Sequence, residues 1–178
     1  IFQLESFFVG HNVRKQTQAG YADYIPVFLH ETQRLIREGY LKVNVAMIQV
    51  SIPDKFGYVS LGTSVDATLA AVENSDTVIA IVNPNVPRAF GDAMFHINEI
   101  DLFVEDDSEL ITAAPGPISD TDRKIGRYVA ELVEDGATLQ MGIGAIPNAV
   151  LSMLGNHKDL GVHSEMFADG ILPLVDKG

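Results

Sequence analysis

The stretch Val43-Asn44-Val45-Ala46-Met47-Ile48-Gln49-Val50 is a short run of apolar and β-branched residues, which is typical of a buried strand. A second run of this kind extends from Thr77 to Val82. Between the two runs, apolar residues recur at helical spacing at Val65, Leu69 and Val72. A strand, a helix and another strand in this order predict a βαβ unit and therefore an α/β fold.

The segments on either side of this unit extend the α/β pattern. A helix is predicted from Tyr24 to Glu38, where Gly39 ends it. Its apolar face consists of Phe28, Leu29, Leu35 and Ile36. The stretch Ala113-Ala114-Pro115-Gly116-Pro117 is the predicted linker, because two prolines and a glycine continue neither a helix nor a strand.

A second series of elements is predicted after the linker. Ser119 with Asp122 resembles a capping arrangement at the start of a helix. The apolar face of this helix consists of Ile125, Val129, Leu132 and Val133. The remaining expected elements are a strand at Ala137–Met141, a helix at about Ile146–Leu154 and a strand at Gly161–Ser164.

Composition and charge exclude several classes of function. The 178-residue chain has 12 basic and 24 acidic residues, a formal net charge of −12 at pH 7, which argues against a nucleic-acid partner. The chain has no cysteine, so disulfides, thiolate metal sites and cysteine nucleophiles are excluded. No apolar run reaches roughly 18 residues and no basic-then-apolar leader opens the chain, so we expect no membrane partner and a cytoplasmic protein.

One carboxylate is placed as a nucleophile would be. In Gly161-Val162-His163-Ser164-Glu165-Met166-Phe167-Ala168-Asp169-Gly170, an apolar strand delivers Glu165 onto a Gly-rich turn. A second Gly-rich strand-to-helix turn, Met141–Asn148, precedes it. The backbone N–H groups of Gly142 and Gly144 there are suited to an oxyanion or phosphate, although glycines in such turns equally often serve close backbone packing.

These two segments and four others resemble the acetyl-CoA hydrolase/transferase family, in particular its 4-hydroxybutyrate and butyrate CoA-transferase branch. The four further segments occur in the order of the family: Phe8–Lys15, Gly20–Phe28, Val50–Gly62 and Asn83–Asp92. The chain departs from the family at Lys55-Phe56, where an acidic residue followed by histidine is usual, and at Val59, where cysteine is common. These differences bear on substrate preference more than on reaction type.

The resemblance implies a fold, a reaction and a set of site residues. It implies two open α/β domains of the CoA-transferase type, with residues 1–114 as the first domain and residues 115–178 as the beginning of an incomplete second domain. Glu165 would be the catalytic nucleophile, attacking an acyl-CoA and passing through a glutamyl-CoA thioester with ping-pong kinetics. The residues expected to bind substrate or CoA are Gly142, Gly144, Ser51, Pro53, Asp54, Gly57 and Arg88.

The expected partners follow from the same resemblance. They are an acyl-CoA and a small carboxylic acid, with coenzyme A as a substrate and with assembly into a homodimer or higher homo-oligomer. His96 and His163 are expected to be structural rather than catalytic, and the absence of histidine pairs at ligand spacing makes a metal unlikely on sequence grounds.

Three other functions remain open from the sequence. Water reaching the anhydride at Glu165 would make the protein an acyl-CoA hydrolase. Gly142-x-Gly144 with an acid about 20 residues later also outlines a dinucleotide-binding fingerprint, in which Glu165 would bond a ribose, although Pro147 stands in place of the third glycine. The third alternative is a non-catalytic domain that binds CoA or serves as an oligomer scaffold.

Overall fold

The computed structural model of the chain describes residues 3–112 and 116–178. Contacts between backbone positions divide the chain into two compact units, Ile1–Ile111 and Thr112–Gly178. Part of the predicted linker, residues 113–115, lies outside the described residues. The domain boundary between residues 114 and 115 therefore stays a prediction.

The first unit is built from seven strands and three α-helices in its described residues. Their bounds in chain order are β1 (Leu4–Ser6), α1 (Arg14–Gln18), β2 (Ala22–Tyr24), α2 (Leu29–Arg37), β3 (Val45–Val50), β4 (Tyr58–Ser60), α3 (Thr68–Asn74), β5 (Thr77–Val82), β6 (Met94–His96) and β7 (Leu102–Glu105). A short 3₁₀ helix, Ile97–Glu99, follows β6.

A parallel sheet with the order β3-β5-β7 is the centre of this unit. Val45 pairs with Thr77 and Val50 with Val82, so β3 and β5 are in register along their full length. Strand β7 pairs with the other edge of β5, from Ile79 opposite Leu102 onward. The predicted βαβ unit and the α/β fold class are confirmed, although β3 begins at Val45 and α3 begins after Val65.

The helix predicted from Tyr24 begins several residues later in the structure. Tyr24 ends β2, which pairs in parallel with β1, and the ladder continues as the Ile25 N–H donates to the Ser6 carbonyl at 3.0 Å. Pro26 disfavours the helical conformation at Ile25, so α2 begins only at Leu29. Of the predicted apolar face, Ile36 is buried, whereas Phe28 and Leu29 are exposed.

The core of the first unit lies between the sheet and the β4–β6 pair. Alternate residues of β3 and β5 point into it, as expected for strands with one covered face. Val50, Val59 and Ala80 are completely buried there. The antiparallel pairing of β4 with β6 was not predicted, and it closes the core on the side of the loop that follows β3.

The second unit has shorter strands than the sequence predicted. Its elements are α4 (Asp120–Ala130), β8 (Thr138–Leu139), α5 (Ala145–Met153), β9 (Gly161–Val162) and α6 (Leu172–Val175). Strands β8 and β9 pair in parallel and lie within the two longer predicted strands. None of the helices in residues 3–112 and 116–178 has the length and apolar character needed to cross a membrane.

The capping arrangement predicted for α4 is present. The Asp122 N–H donates to Ser119 Oγ at 3.2 Å, and the Ser119 N–H donates to Asp122 Oδ2 at 2.9 Å, which forms a complete capping box. The hydrogen bond from the Ser119 hydroxyl, followed by that from its N–H, holds the pKa of Asp122 below its usual value.

The predicted apolar face of α4 is wrong in part. Val133, which follows the helix, packs on the second core, whereas Leu132 is 82% exposed. The buried residues of the helix itself are Gly126 and Ala130. The reason is the close approach of α5: a Cβ at Gly126 would lie 2.8 Å from the Ala149 carbonyl carbon and 2.9 Å from its oxygen. Small residues therefore define the face of α4 that packs on α5.

We expect Gly126→Ala to lower the free energy of unfolding by about 1–2 kcal/mol, because overpacking against Ala149 outweighs the better helix propensity of alanine. Chemical denaturation of the complete protein measures the change. Lys124→Ala, at an exposed position of the same helix, is the control and should change stability by less than about 0.5 kcal/mol. A Gly126→Ala variant as stable as the wild type would contradict this account of the α4–α5 contact.

Candidate functional site

The predicted site residues fall into two groups, one in each unit. Ser51, Pro53, Asp54, Gly57 and Arg88 belong to the first unit, and Gly142, Gly144 and Glu165 belong to the second. The first group belongs to the loop after β3 and the segment after β5. The second group belongs to the turn before α5 and the bend after β9.

A tight loop connects β3 to β4, and Asp54 organises it. Asp54 Oδ1 accepts the N–H groups of Phe56 and Tyr58, both at 2.9 Å. The Asp54 N–H donates to the Tyr58 carbonyl at 2.9 Å, and the Gly57 N–H donates to the Asp54 carbonyl at 3.0 Å. Gly57 has φ +84°, a conformation that favours glycine. The loop is therefore a closed turn at the carboxyl end of β3, the end of a parallel sheet where ligands usually bind.

Arg88 is bound to the same loop. Its Nη2 donates to Asp54 Oδ2 at 3.2 Å, and its Nη1 lies 3.3 Å from the Tyr58 carbonyl oxygen. The resemblance implies that Arg88 binds substrate or CoA, and in this structure its guanidinium is paired with Asp54. The Tyr58 N–H is the largest cause that holds the pKa of Asp54 below its usual value, and the N–H of Phe56 and the charge of Arg88 add to it.

The hydroxyl of Ser51 is used inside the fold. Ser51 is 1% exposed, and its Oγ accepts the Ser60 N–H at 3.0 Å and lies 3.1 Å from the Ile52 carbonyl oxygen. Ser60 is fully buried, and its Oγ accepts the N–H groups of Gly62 and Ala89. The two serines join the base of the Asp54 loop to the segment around Arg88, so the Ser51 hydroxyl has a structural role here.

Pro53 is exposed beside a cavity at the carboxyl ends of the sheet. The cavity has a volume of about 490 Å³ and is lined by Ile52 and Pro53 together with Glu105, Asp106 and Asp107. Hydrogen bonds from the hydroxyl and then the N–H of Ser108 hold the pKa of Asp106 below its usual value. Three carboxylates in one lining disfavour the phosphates of CoA, so this cavity by itself is not suited to that ligand.

His96 contacts the loop after β3 through the backbone of Phe56. Its Nδ1 accepts the Asn98 N–H at 3.2 Å, so its Nε2 carries the proton and donates to the Phe56 carbonyl at 3.1 Å. A Cβ at Gly57 would lie 2.6 Å from His96 Nε2, which leaves room only for glycine. The structural role predicted for His96 agrees with these contacts, whereas His163 is exposed.

In the second unit, Gly142 and Gly144 form an exposed turn before α5. Gly144 has φ +119° and precedes the first residue of the helix, and the Asn148 N–H donates to its carbonyl at 3.2 Å. A Cβ at Gly142 would meet only Pro147, at 3.9 Å, which is ordinary van der Waals distance. Within this unit the two glycines are therefore not required for close packing, and the turn leaves backbone open to a ligand.

An apolar cavity lies under this turn. It has a volume of about 230 Å³, with Gly142 among its lining residues and Met141, Pro147 and Val150 among its apolar ones. Val150 and Met141 also pack on the second core, around Leu151 and Leu154. The turn therefore has a polar backbone on its surface and apolar side chains beneath it.

Glu165 lies on an exposed bend three residues after the end of β9. The preceding residue, Ser164, is hydrogen-bonded to Met141, which precedes Gly142. Ser164 and Met141 are therefore a hydrogen-bonded pair. Glu165, the predicted nucleophile, directly follows Ser164, and the Gly-rich turn directly follows Met141. Sequence reasoning did not single out Ser60 or Ser164, because a single serine has no sequence pattern that reveals its hydrogen-bond partner.

We expect Asp54→Ala to increase hydrogen exchange at the amides of Phe56 and Tyr58 by about fivefold or more, because it removes the oxygen that accepts both N–H groups. The protection of these two amides, relative to an unstructured chain at the same pH, should also depend on pH. The lowered pKa of Asp54 means that its ionised form stabilises the loop above about pH 3.9, and this contribution is lost as the pH falls through the folded-state pKa. Asp54→Asn should lack that acid transition.

The control for this experiment is Asp66→Ala, which removes a similar hydrogen bond to the Ala67 N–H elsewhere in the first unit. It should leave exchange at Phe56 and Tyr58 unchanged. If Asp54→Ala also leaves both amides as protected as in the wild type, Asp54 does not organise the loop.

Comparison with known proteins identifies the family. The acetyl-CoA hydrolase/transferase N-terminal domain matches residues 1–115. The chain is 49% identical over 177 residues to the 4-hydroxybutyrate coenzyme A transferase of Clostridium kluyveri, covering 99% of this chain and 41% of that protein. It is 48% identical to the succinyl-CoA:acetate/propanoyl-CoA:succinate CoA transferase of Fasciola hepatica, covering 99% of this chain and 37% of that protein.

Solved structures agree with this assignment. The 4-hydroxybutyrate CoA-transferase of Porphyromonas gingivalis superimposes with a TM-score of 0.85 at 37% identity, covering 99% of this chain and 46% of that one. RipA from Yersinia pestis gives a TM-score of 0.89 at 33% identity, covering 98% of this chain and 42% of that one. The chain spans about two fifths of the length of the curated relatives it matches. The resemblance predicted from the sequence is confirmed, and the chain belongs to the acetyl-CoA hydrolase/transferase family.

Proposed function

We propose that the protein moves CoA between a short-chain acyl-CoA and a carboxylic acid of the 4-hydroxybutyrate, butyrate or acetate class, through a glutamyl-CoA thioester on Glu165. Relatives at 34–49% identity are named CoA transferases, which supports the reaction type. The observation that carries the proposal is the exposed bend at Glu165, tied through Ser164 and Met141 to the open turn at Gly142. The activity is proposed for the complete protein that contains this chain.

The proposed reaction consists of two acyl-transfer steps with the donor and the same two steps in reverse with the acceptor. A carboxylate oxygen of Glu165 attacks the thioester carbonyl and the C–S bond breaks. CoA departs as the thiolate, and an acyl-glutamyl anhydride remains. The thiolate then attacks the glutamyl carbonyl and expels the donor acid as a carboxylate. The acceptor carboxylate attacks the glutamyl thioester, which forms a new anhydride and releases CoA thiolate. The thiolate attacks the acceptor's acyl carbonyl in this anhydride, and the acceptor leaves as its CoA thioester. Charges balance at each step and Glu165 is regenerated.

Backbone groups are the proposed means of stabilising the charge that develops. The N–H groups of the Gly142–Gly144 turn are suited to an oxyanion, and α5 adds a favourable dipole at its N-terminus. Backbone donors suit a chain with a formal net charge of −12, because they attract an anionic ligand without added cations. The described residues contain no group of three or more His, Cys, Asp or Glu that could hold a metal, and the proposed steps require none.

The residues of the first unit have a supporting part in this proposal. Ser51, Asp54, Gly57 and Arg88 hold the loop after β3 in one conformation, and Pro53 lies on its surface. Lys55 and Phe56 form the exposed tip, with Lys55 Nζ 4.9 Å from the centre of the Phe56 ring. We propose that this rigid tip contacts the ligand, whereas Asp54 and Arg88 position it. Assembly into a homodimer or higher oligomer also remains part of the proposal.

In the complete protein, Glu165→Ala should lower the rate of CoA transfer between butyryl-CoA and acetate by several orders of magnitude, because a covalent catalyst is lost. Glu165→Asp should also be poor, because the shorter side chain withdraws the carboxylate from the attack geometry. Glu134→Ala, at another exposed glutamate of the second unit, should retain the wild-type rate. A Glu165→Ala variant that retains more than a few per cent of the rate would refute the nucleophile assignment.

Trapping the intermediate distinguishes the possible reactions. Incubation with acyl-CoA and then sodium borohydride should reduce the glutamyl thioester to an alcohol, inactivate the protein and modify the peptide spanning His163 to Phe167. Neither a general base that activates water nor a carboxylate that binds a ribose leaves anything at Glu165 to reduce. An active, unmodified protein after this treatment would exclude the covalent mechanism, and release of free acid without an acceptor would identify a hydrolase.

A further inference from the structure

Both backbone polar groups of Met141 bind the same side-chain atom. The Met141 N–H donates to Ser164 Oγ at 3.2 Å, and the Ser164 hydroxyl donates to the Met141 carbonyl at 2.8 Å. A serine hydroxyl has one donor and two acceptor positions, so it can satisfy both groups at once. Ser164 is only half-buried, but both contacts are partly shielded from water.

These bonds take the place of backbone pairing at the end of a short ladder. Strands β8 and β9 pair at Thr138 with Gly161 and at Leu139 with Val162. The His163 N–H still donates to the Leu139 carbonyl at 2.9 Å, which is the last rung of the ladder. In a continued parallel ladder, backbone groups would serve Met141. Here the side chain of Ser164 serves it, and the backbone after Ser164 turns away into the bend.

The contact between Ser164 and Met141 lies next to both segments of the proposed active site. Gly142 follows Met141 directly and begins the open turn, and Glu165 follows Ser164 directly. The contact thus joins the segment that carries the proposed nucleophile to the segment that carries the proposed oxyanion donors. A displacement of about 1 Å between such groups is enough to lower a rate about a hundredfold.

We propose that Ser164 is a positioning residue. Its two hydrogen bonds to Met141, here called the clasp, hold the Gly142–Gly144 turn next to the Glu165 segment. The inference rests on the proposed function and deepens it, since it names what sets the distance between the nucleophile and the turn. Ser164 itself does not touch the reacting atoms. Its hydroxyl ends the β8–β9 ladder early and so frees Glu165 to lie on an exposed bend while the turn stays in place.

The chain offers a graded set of variants. Ser164→Ala removes the clasp and leaves both groups of Met141 without that partner. Ser164→Thr keeps a hydroxyl in place, and Ser164→Cys keeps the shape with a much weaker donor. Ser152→Ala is the matched control, because Ser152 is also in the second unit and its Oγ donates to the Ala149 carbonyl at 2.7 Å, within α5 and away from the turn.

The first measurement is hydrogen exchange at the Met141 amide of the complete protein, and it does not depend on activity. Ser164→Ala should raise the exchange rate by about fivefold or more, because the N–H loses its acceptor. Ser164→Thr and Ser152→Ala should leave it near the wild-type rate. Unchanged protection in Ser164→Ala would show that the clasp does not exist and would overturn the proposal.

The second measurement is the division of the kinetic effect between kcat and KM. Ser164→Ala should lower kcat for CoA transfer by about tenfold to a hundredfold and change KM by less than about threefold, because ligand contacts remain while the nucleophile is misplaced. The rate at which borohydride-sensitive intermediate forms should fall in parallel. Ser164→Cys should be intermediate, Ser164→Thr should restore most of the rate, and Ser152→Ala should behave as the wild type.

The outcomes separate this inference from the proposed function. If Ser164→Ala exposes the Met141 amide but retains the wild-type kcat, the clasp exists without positioning Glu165, and the proposal is overturned. The same conclusion follows if Ser164→Thr keeps the amide protected but does not restore kcat. If Glu165→Ala itself retains activity, the proposed function fails, whereas the exchange result for Met141 still stands by itself. Should Ser164→Ala not fold, Ser164→Cys and Ser164→Thr provide the same comparison.

Discussion

The parallel pairing of β3 with β5 is the interaction on which the first unit depends. Six consecutive residue pairs, from Val45 with Thr77 to Val50 with Val82, bring the carboxyl ends of both strands to the same edge of the sheet. The loop after β3 and the segment after β5 therefore start side by side, which allows Arg88 to reach Asp54 and Ser60 to reach Ala89. The closed loop is thus a consequence of strand register, and its hydrogen bonds then hold it in one conformation.

A similar arrangement occurs in the second unit, with much shorter strands. Two ladder positions set β8 beside β9, and in the same unit α4 and α5 pack closely at Gly126 and Ala149. After the ladder ends, Ser164 continues the connection through its side chain. In both units, therefore, a serine hydroxyl forms hydrogen bonds with backbone just after a strand ends: Ser51 in the first unit and Ser164 in the second. These bonds hold an irregular segment for which we propose contact with a ligand.

The negative net charge of the chain bears on the proposed use of backbone N–H groups to bind an anion. This chain has 24 acidic and 12 basic residues, and a net charge of this sign opposes the binding of an anionic ligand such as the proposed thioester. Arg88, a cation beside the loop after β3, is already paired with Asp54. In the proposed function, backbone N–H groups at the Gly142–Gly144 turn, which precedes α5, would attract an anion without an added cation.

The sequence by itself determined the α/β class, the β3–α3–β5 unit, the capping box of α4 and the family, because these depend on local periodicity, on adjacent residues and on motif order. It also directed attention to Glu165 and the two glycines. Tertiary structure alone decided that Tyr24 belongs to a strand, that Gly126 faces α5, that Arg88 is paired with Asp54, and that Ser164 binds Met141. Each of these depends on a partner that is distant in the sequence, and no pattern within one segment specifies which distant group will come within hydrogen-bond or van der Waals distance.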